Sequence, residues 1–224
     1  MFVGHYAASF AAKSVRSDLP LWLLIVAVQF VDYIWAILLI LGVEKARFVP
    51  GFTEASSLDL YYMPYSHSLL AGVVWSIVFA GVYLLLRGSR LTKQQRLVHG
   101  IVLAAAVFSH WLTDLIVHVE DLPLLHGDPK FGFGLWRDFW LSQGLEFGLL
   151  AAGFAWYMIK SSARNIWGYV LPVLLIAVFF LLQAYSHHAP PPPNMTAFAV
   201  QALVAYSLFA LLAFYVERFR PMKP

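Results

Sequence analysis

Long apolar runs dominate the chain, and short polar segments separate them. Each run holds about 20 residues, enough for a helix to cross a hydrocarbon core of about 30 Å. Residues 1–16 are rich in alanine and predict an amphipathic or half-spanning helix, and residues 44–66 and 121–138 predict loops. The pattern predicts an all-α membrane bundle of about six spanning helices, at residues 21–42, 67–86, 96–119, 139–159, 166–185 and 196–216.

The composition agrees with a membrane protein. Hydrophobic residues make up 61% of the chain and charged residues 12%, and the mean hydropathy is +0.72. Soluble domains carry about a quarter charged residues. The 224 residues suit a single integral-membrane domain, 1–224, and no cleavable signal peptide is expected. The chain has no cysteine, which excludes disulfides and thiolate metal ligands.

The basic residues predict an orientation in the membrane. Of the 15 lysines and arginines, all but Lys45, Arg47, Lys130 and Arg137 fall on the side of the bundle that would hold both termini. By the positive-inside rule, both termini are then cytoplasmic. The net charge of +3 is explained by these loops, so we expect no nucleic-acid partner.

Three polar residues recur along the third apolar run. His110, Asp114 and His118 are spaced four residues apart, which puts them on one helix face with about 40° of drift per step. Two imidazoles flanking a carboxylate are suitable ligands for a divalent metal. The alternative is a stripe of structural hydrogen bonds between helices.

Further polar residues are expected at a similar depth in the membrane as His110. His5 and Asp32 each lie about 12 residues from the turn at 17–20, or about 18 Å deep if residues 1–16 fold back as a helix. His110 and Glu146 lie at about 21 Å by the same arithmetic, and His67 is nearer the outer face. We therefore expect one cluster in the outer half of the membrane, because dispersed polar groups there would each be costly.

Each of these residues also has a simpler interpretation. Asp32 could pair with a protonated histidine, and His5 taken alone could be interfacial. His67 is either a metal ligand, oriented by Ser66 or Ser68, or part of a helix cap with Ser66 as N-cap.

Two further acids are candidate catalytic residues. Glu146 could be a ligand, the general base or a partner of a ligating histidine, and otherwise a structural hydrogen-bonding group. Asp121 could complete the site or simply end the helix. We expect His126 to belong to its loop and His187 and His188 to be interfacial.

The chain contains five stretches that carry a family resemblance: GHYAASFAAK, QFVDYIWAILLILGVE, MPYSHSLLAG, SHWLTDLIVHVEDLPL and FGLWRD. Together they resemble a bacterial family of membrane-bound, metal-dependent hydrolases, also described as LexA-binding inner-membrane hydrolases. The resemblance covers most of residues 1–150, and a looser similarity links the site to zinc-dependent phospholipase C. It implies a hydrolase of the bacterial inner membrane whose metal ligands would be His5, Asp32, His67, His110, Asp114 and His118.

A nitrogen and oxygen ligand set suits zinc, and also manganese or iron, as one or two ions. A site open to the outer side predicts hydrolysis of a phosphoester in a membrane lipid or lipid-linked substrate. The chain contains no HExxH or GxSxG motif. The alternatives are a proton or metal-ion transporter that uses the same residues as a relay, and a membrane scaffold.

Overall fold

The computed structural model describes residues 1–223, and its architecture is an all-α membrane bundle. Two short antiparallel hairpins, β1–β2 and β3–β4, are the only sheets among these residues. The strands are β1 (Lys45–Phe48), β2 (Leu58–Tyr62), β3 (Leu122–Pro123) and β4 (Lys130–Phe131). The helices are α1 (Tyr6–Val15), α2 (Leu21–Ile40), α3 (Leu69–Arg87), α4 (Lys93–Val117), α5 (Phe139–Lys160), α6 (Trp167–His188) and α7 (Met195–Phe219).

Five helices are long and apolar enough to cross a membrane: α2, α3, α4, α6 and α7. The predicted membrane bundle is thereby confirmed for five of its six spans. Helix α5 begins at the predicted residue and has 22 residues, one more than predicted, but it is not among the five, because its buried face carries Ser142, Gln143 and Glu146. Its polar face is turned inward, so this helix contributes polar side chains to the interior of the bundle.

Helix α1 lies inside the bundle. Val3, Tyr6 and Phe10 are fully buried, and the helix packs against α5 and α2. Helix α5 makes room for it at Gly153, where a side chain's Cβ atom would come within 2.5 Å of the Ala7 carbonyl oxygen. The C-terminal end of α1 is held by Lys13, which donates to Glu217 of α7 and to two backbone carbonyls.

The two predicted loops both contain a hairpin, which the sequence analysis did not anticipate. Strand β1 pairs with β2 through an irregular register, and Arg47 donates to Asp59 at 2.7 Å across the pair. The hairpins are joined where Lys130 donates to the Tyr61 carbonyl oxygen at 3.0 Å. We call this side of the bundle the hairpin end, and it covers the ends of α2 and α4 and the start of α3.

We expect Gly153→Ala to destabilise the protein by about 1–3 kcal/mol, because the added methyl group overpacks the contact between α1 and α5. The measurement is thermal unfolding in detergent. Gly148→Ala is the matched control, since a Cβ atom at Gly148 meets nothing within 4 Å. Equal melting temperatures for the two variants would contradict the close approach of α1.

Candidate metal centre

The structure brings the six predicted ligand residues together beneath the hairpin end. His5 comes from the first turn of the chain, Asp32 from α2, and His67 from the segment that precedes α3. His110 and Asp114 lie on α4, and His118 caps the end of that helix. All six are buried except Asp32, which is partly buried.

Asp114 is the centre of the cluster, and its two carboxylate oxygens face different neighbours. Oδ1 lies 3.2 Å from Nε2 of His5 and 3.5 Å from Nε2 of His118, and the Met1 amino group donates to it at 2.6 Å. Oδ2 lies 3.1 Å from Nε2 of His110 and 3.6 Å from Nε2 of His67. The four histidines therefore surround one carboxylate.

Asp32 completes one side of this arrangement. Its Oδ1 lies 3.2 Å from Nε2 of His67 and 3.4 Å from Nε2 of His110. Its Oδ2 accepts hydrogen bonds from Gln29 at 2.5 Å and from Tyr206 of α7 at 3.2 Å. These two donors hold one oxygen and leave the other facing the imidazoles.

The spacing of these atoms fits a metal ion. Ligand atoms about 2.0–2.1 Å from a tetrahedral ion lie about 3.3–3.4 Å from one another. The distances in the cluster run from 3.1 to 3.6 Å. Within residues 1–223, Nε2 of His5 and Nε2 of His110 are buried and have no hydrogen-bond partner. Two groups of three residues meet the geometric requirement for holding an ion: His5, His110 and Asp114, and Asp32, His67 and His110.

The other nitrogen of each ring has an acceptor that fixes the tautomer. Nδ1 of His110 donates to the Val28 carbonyl oxygen at 2.8 Å, and Nδ1 of His118 donates to Asp121 at 2.9 Å. Because the tautomer with a proton on Nδ1 leaves a lone pair on Nε2, both rings present that lone pair to the cluster.

His5 and His67 are held in the same way by hydroxyl groups. Nδ1 of His5 lies 2.8 Å from Oγ1 of Thr113, whose proton is directed to backbone carbonyls of α4. Nδ1 of His67 lies 2.7 Å from Oγ of Ser66. All four histidines thus donate outward through Nδ1 and converge through Nε2, which is the arrangement of ligating histidines in metalloproteins.

The two acids predicted to be catalytic occupy different positions. Asp121 contacts the outward nitrogen of His118, so it orients the ring of a candidate metal ligand. Glu146 of α5 binds the start of the chain, where its Oε2 accepts hydrogen bonds from the backbone N–H groups of Phe2 at 2.9 Å and Gly4 at 3.2 Å. Glu146 therefore also anchors the segment that carries His5.

A cavity of about 390 Å³ opens beside the cluster. Asp32, His67, Asp114 and His118 line its polar end together with Glu146. Its other walls come from β2, α6 and α7 and include Leu58, Leu60, Leu182, Phe198, Ala202 and Ala205. The cavity therefore joins buried ligand atoms to an apolar wall.

The remaining histidines are divided between the cavity, the loops and the opposite end of the bundle. His187 lines the cavity, next to Gln183 on α6. His126 packs against Tyr62 and Tyr65 in the loops, as predicted. His99 lies at the end opposite the hairpins, where its Nε2 is 2.7 Å from Asp18.

Glu44 is a site residue that the sequence analysis missed. It is 1% exposed, and its Oε2 accepts a hydrogen bond at 2.5 Å from the Ser66 hydroxyl, which in turn accepts from His67. Its Oε1 accepts from the backbone N–H groups of Tyr65 and Ser66. The N-cap of α3 is Ser68, so the alternative in which Ser66 caps this helix is wrong. No pattern in the sequence identifies Glu44, because an acid just after a span is usually solvated.

We expect Glu44→Gln to lower the zinc affinity of the protein about 10- to 100-fold, since it weakens the hydrogen bond that orients His67 through Ser66. The measurement is competition between the protein and a chelator of known affinity. Glu120→Gln is the control: Glu120 is exposed, and the hydrogen bond from Arg137 lowers the pKa of its carboxyl group. Wild-type affinity in both variants would contradict the assignment.

Comparison of the chain with protein-family models, with curated proteins and with solved structures finds no match in any of the three. The family resemblance therefore stays a prediction, and the geometry of the site is the basis for the function proposed below.

Proposed function

We propose that this chain is an integral-membrane, metal-dependent hydrolase that cleaves a phosphoester in a lipid or lipid-linked substrate. One observation carries the proposal: four buried histidines donate outward through Nδ1 and converge through Nε2 on the Asp114 carboxylate. Among the described residues, two of the converging nitrogens, Nε2 of His5 and Nε2 of His110, have no hydrogen-bond partner, which supports an ion between them and the carboxylates.

The chemistry of the ligands favours zinc, with manganese or iron as substitutes. All donors are imidazole nitrogens or carboxylate oxygens, and the chain has no thiol. A divalent metal at this site would supply an activated water nucleophile and stabilise negative charge on a phosphoryl oxygen.

Glu146 is the proposed proton acceptor for the attacking water. It lines the cavity beside Asp114, and among the described residues only its Oε2 accepts hydrogen bonds. Oε1 is thus free to face a water molecule in the cavity. Asp121 has a positioning role in this proposal, because it holds the His118 ring in the ligating tautomer.

The shape of the cavity supports an amphiphilic substrate. The phosphoester would meet the polar end at Asp114, while the apolar chain would lie along Leu182 of α6 and Ala202 and Ala205 of α7. In the orientation that the basic loops predict, the hairpin end faces the outer side of a bacterial inner membrane and both termini are cytoplasmic. The substrate would then enter from the surrounding lipid.

The transporter alternative needs a polar path through the bundle. The other buried histidine of α4, His99, pairs with Asp18 at the opposite end. Between His99 and His110 the buried face of α4 carries Leu103, Ala106 and Val107, each at most 5% exposed. This apolar stretch favours a cavity that opens on one side of the membrane, and therefore the hydrolase.

The function is tested with protein reconstituted in vesicles that contain phosphatidylglycerol, phosphatidylethanolamine and cardiolipin. We expect the zinc-loaded wild type to release phosphorylated products, and we expect Asp114→Ala to lose at least 100-fold in rate. Glu120→Gln, at an exposed surface position, should keep the wild-type rate. If the zinc-loaded wild type leaves every phosphoester intact, the hydrolase proposal is wrong.

Metal removal should also destabilise the protein, because an ion that binds only the folded state adds about 2.7 kcal/mol at 100 times its dissociation constant. We expect a chelator to lower the melting temperature of the wild type and to leave that of Asp114→Ala unchanged. Identical responses of the two proteins would show that the stabilising ion does not bind at Asp114.

A further inference from the structure

The His5 and His110 rings stack on one another beside Asp114. Their centroids are 3.7 Å apart and their planes differ by 11°. The lone pair of an imidazole nitrogen lies in the plane of its ring, so an ion ligated by Nε2 lies close to that plane. The distances among His5, His110 and Asp114 alone would allow one ion, but an ion bound by both stacked rings would lie well outside the plane of at least one of them. The stacking therefore favours a different ion for each ring.

The neighbours of Asp114 divide in the same way. Nε2 of His5 is 3.2 Å from Oδ1, whereas Nε2 of His110 is 3.1 Å from Oδ2. His118 lies on the Oδ1 side, at 3.5 Å, and His67 lies on the Oδ2 side, at 3.6 Å. Each oxygen of the carboxylate thus faces its own pair of imidazoles, and Oδ1 also accepts the hydrogen bond of 2.6 Å from the Met1 amino group.

Both sides carry a buried nitrogen without a partner. Nε2 of His5 and Nε2 of His110 accept and donate no hydrogen bond among the described residues. A single ion on either side would leave the other nitrogen buried and unpaired, which costs free energy. Two ions would satisfy both.

We propose that Asp114 bridges two metal ions. The first is held by Oδ2 of Asp114 with Asp32, His67 and His110, and the second by Oδ1 of Asp114 with His5 and His118. This proposal rests on the proposed function only in placing metal at the same cluster, and it specifies how many ions act there.

The first test counts ions in zinc-loaded protein after free metal has been removed by gel filtration. We expect two zinc ions per chain in the wild type, one in His67→Ala and one in His118→Ala. His126→Ala, at a loop histidine away from the cluster, should keep two. Melting temperature and gel-filtration profile show that each variant is folded, and His118→Gln replaces His118→Ala if the latter is not.

The second test uses manganese, whose electron paramagnetic resonance spectrum reports on neighbouring ions. We expect an exchange-coupled signal from the manganese-loaded wild type and the six-line signal of isolated manganese from His118→Ala. One ion per chain and an uncoupled wild-type spectrum would overturn the two-metal proposal. That result would leave a one-metal hydrolase intact, whereas two coupled ions without hydrolysis would refute only the proposed function.

Discussion

The constraint on which the structure depends is the burial of two carboxylates and four imidazoles in an apolar helical bundle. Each buried ion costs several kcal/mol unless it is paired or coordinated, so such a group persists only with a compensating partner. The bundle supplies those partners in two layers. Nε2 atoms and carboxylate oxygens face one another in the centre, and Nδ1 atoms donate to a backbone carbonyl, a carboxylate or a hydroxyl outside it.

Three unusual features of the fold bring these partner groups to the cluster. Helix α1 fills the interior because it delivers His5, and the absent side chain of Gly153 lets it approach α5. The polar face of α5 is buried because Glu146 binds the first turn of the chain. The β1–β2 hairpin follows Glu44, whose carboxylate holds Ser66 and through it His67. Elements that the sequence places far from the cluster thus position its histidines.

The sequence revealed those parts of the fold and the site that arise from local periodicity. Apolar runs of the right length predicted the five clear spans, and the four-residue spacing of His110, Asp114 and His118 predicted their shared face. Other features depend on contacts between distant segments. Glu44 acts through Ser66 on a histidine more than 20 residues away, so its role has no local signature. Asp121 is only three residues from His118, and its place in the site follows from the turn after α4. The hairpins were missed because their strands are short and lie within segments that otherwise have the composition of loops.

The measurement that tests the metal centre most directly is X-ray absorption at the zinc edge of the zinc-loaded protein. We predict a first shell of nitrogen and oxygen at about 2.0–2.1 Å, with the outer-shell scattering of coordinated imidazoles. This imidazole scattering should weaken in His110→Ala. A shell made of water oxygens without imidazole scattering would show that the histidines do not bind metal and would contradict the account.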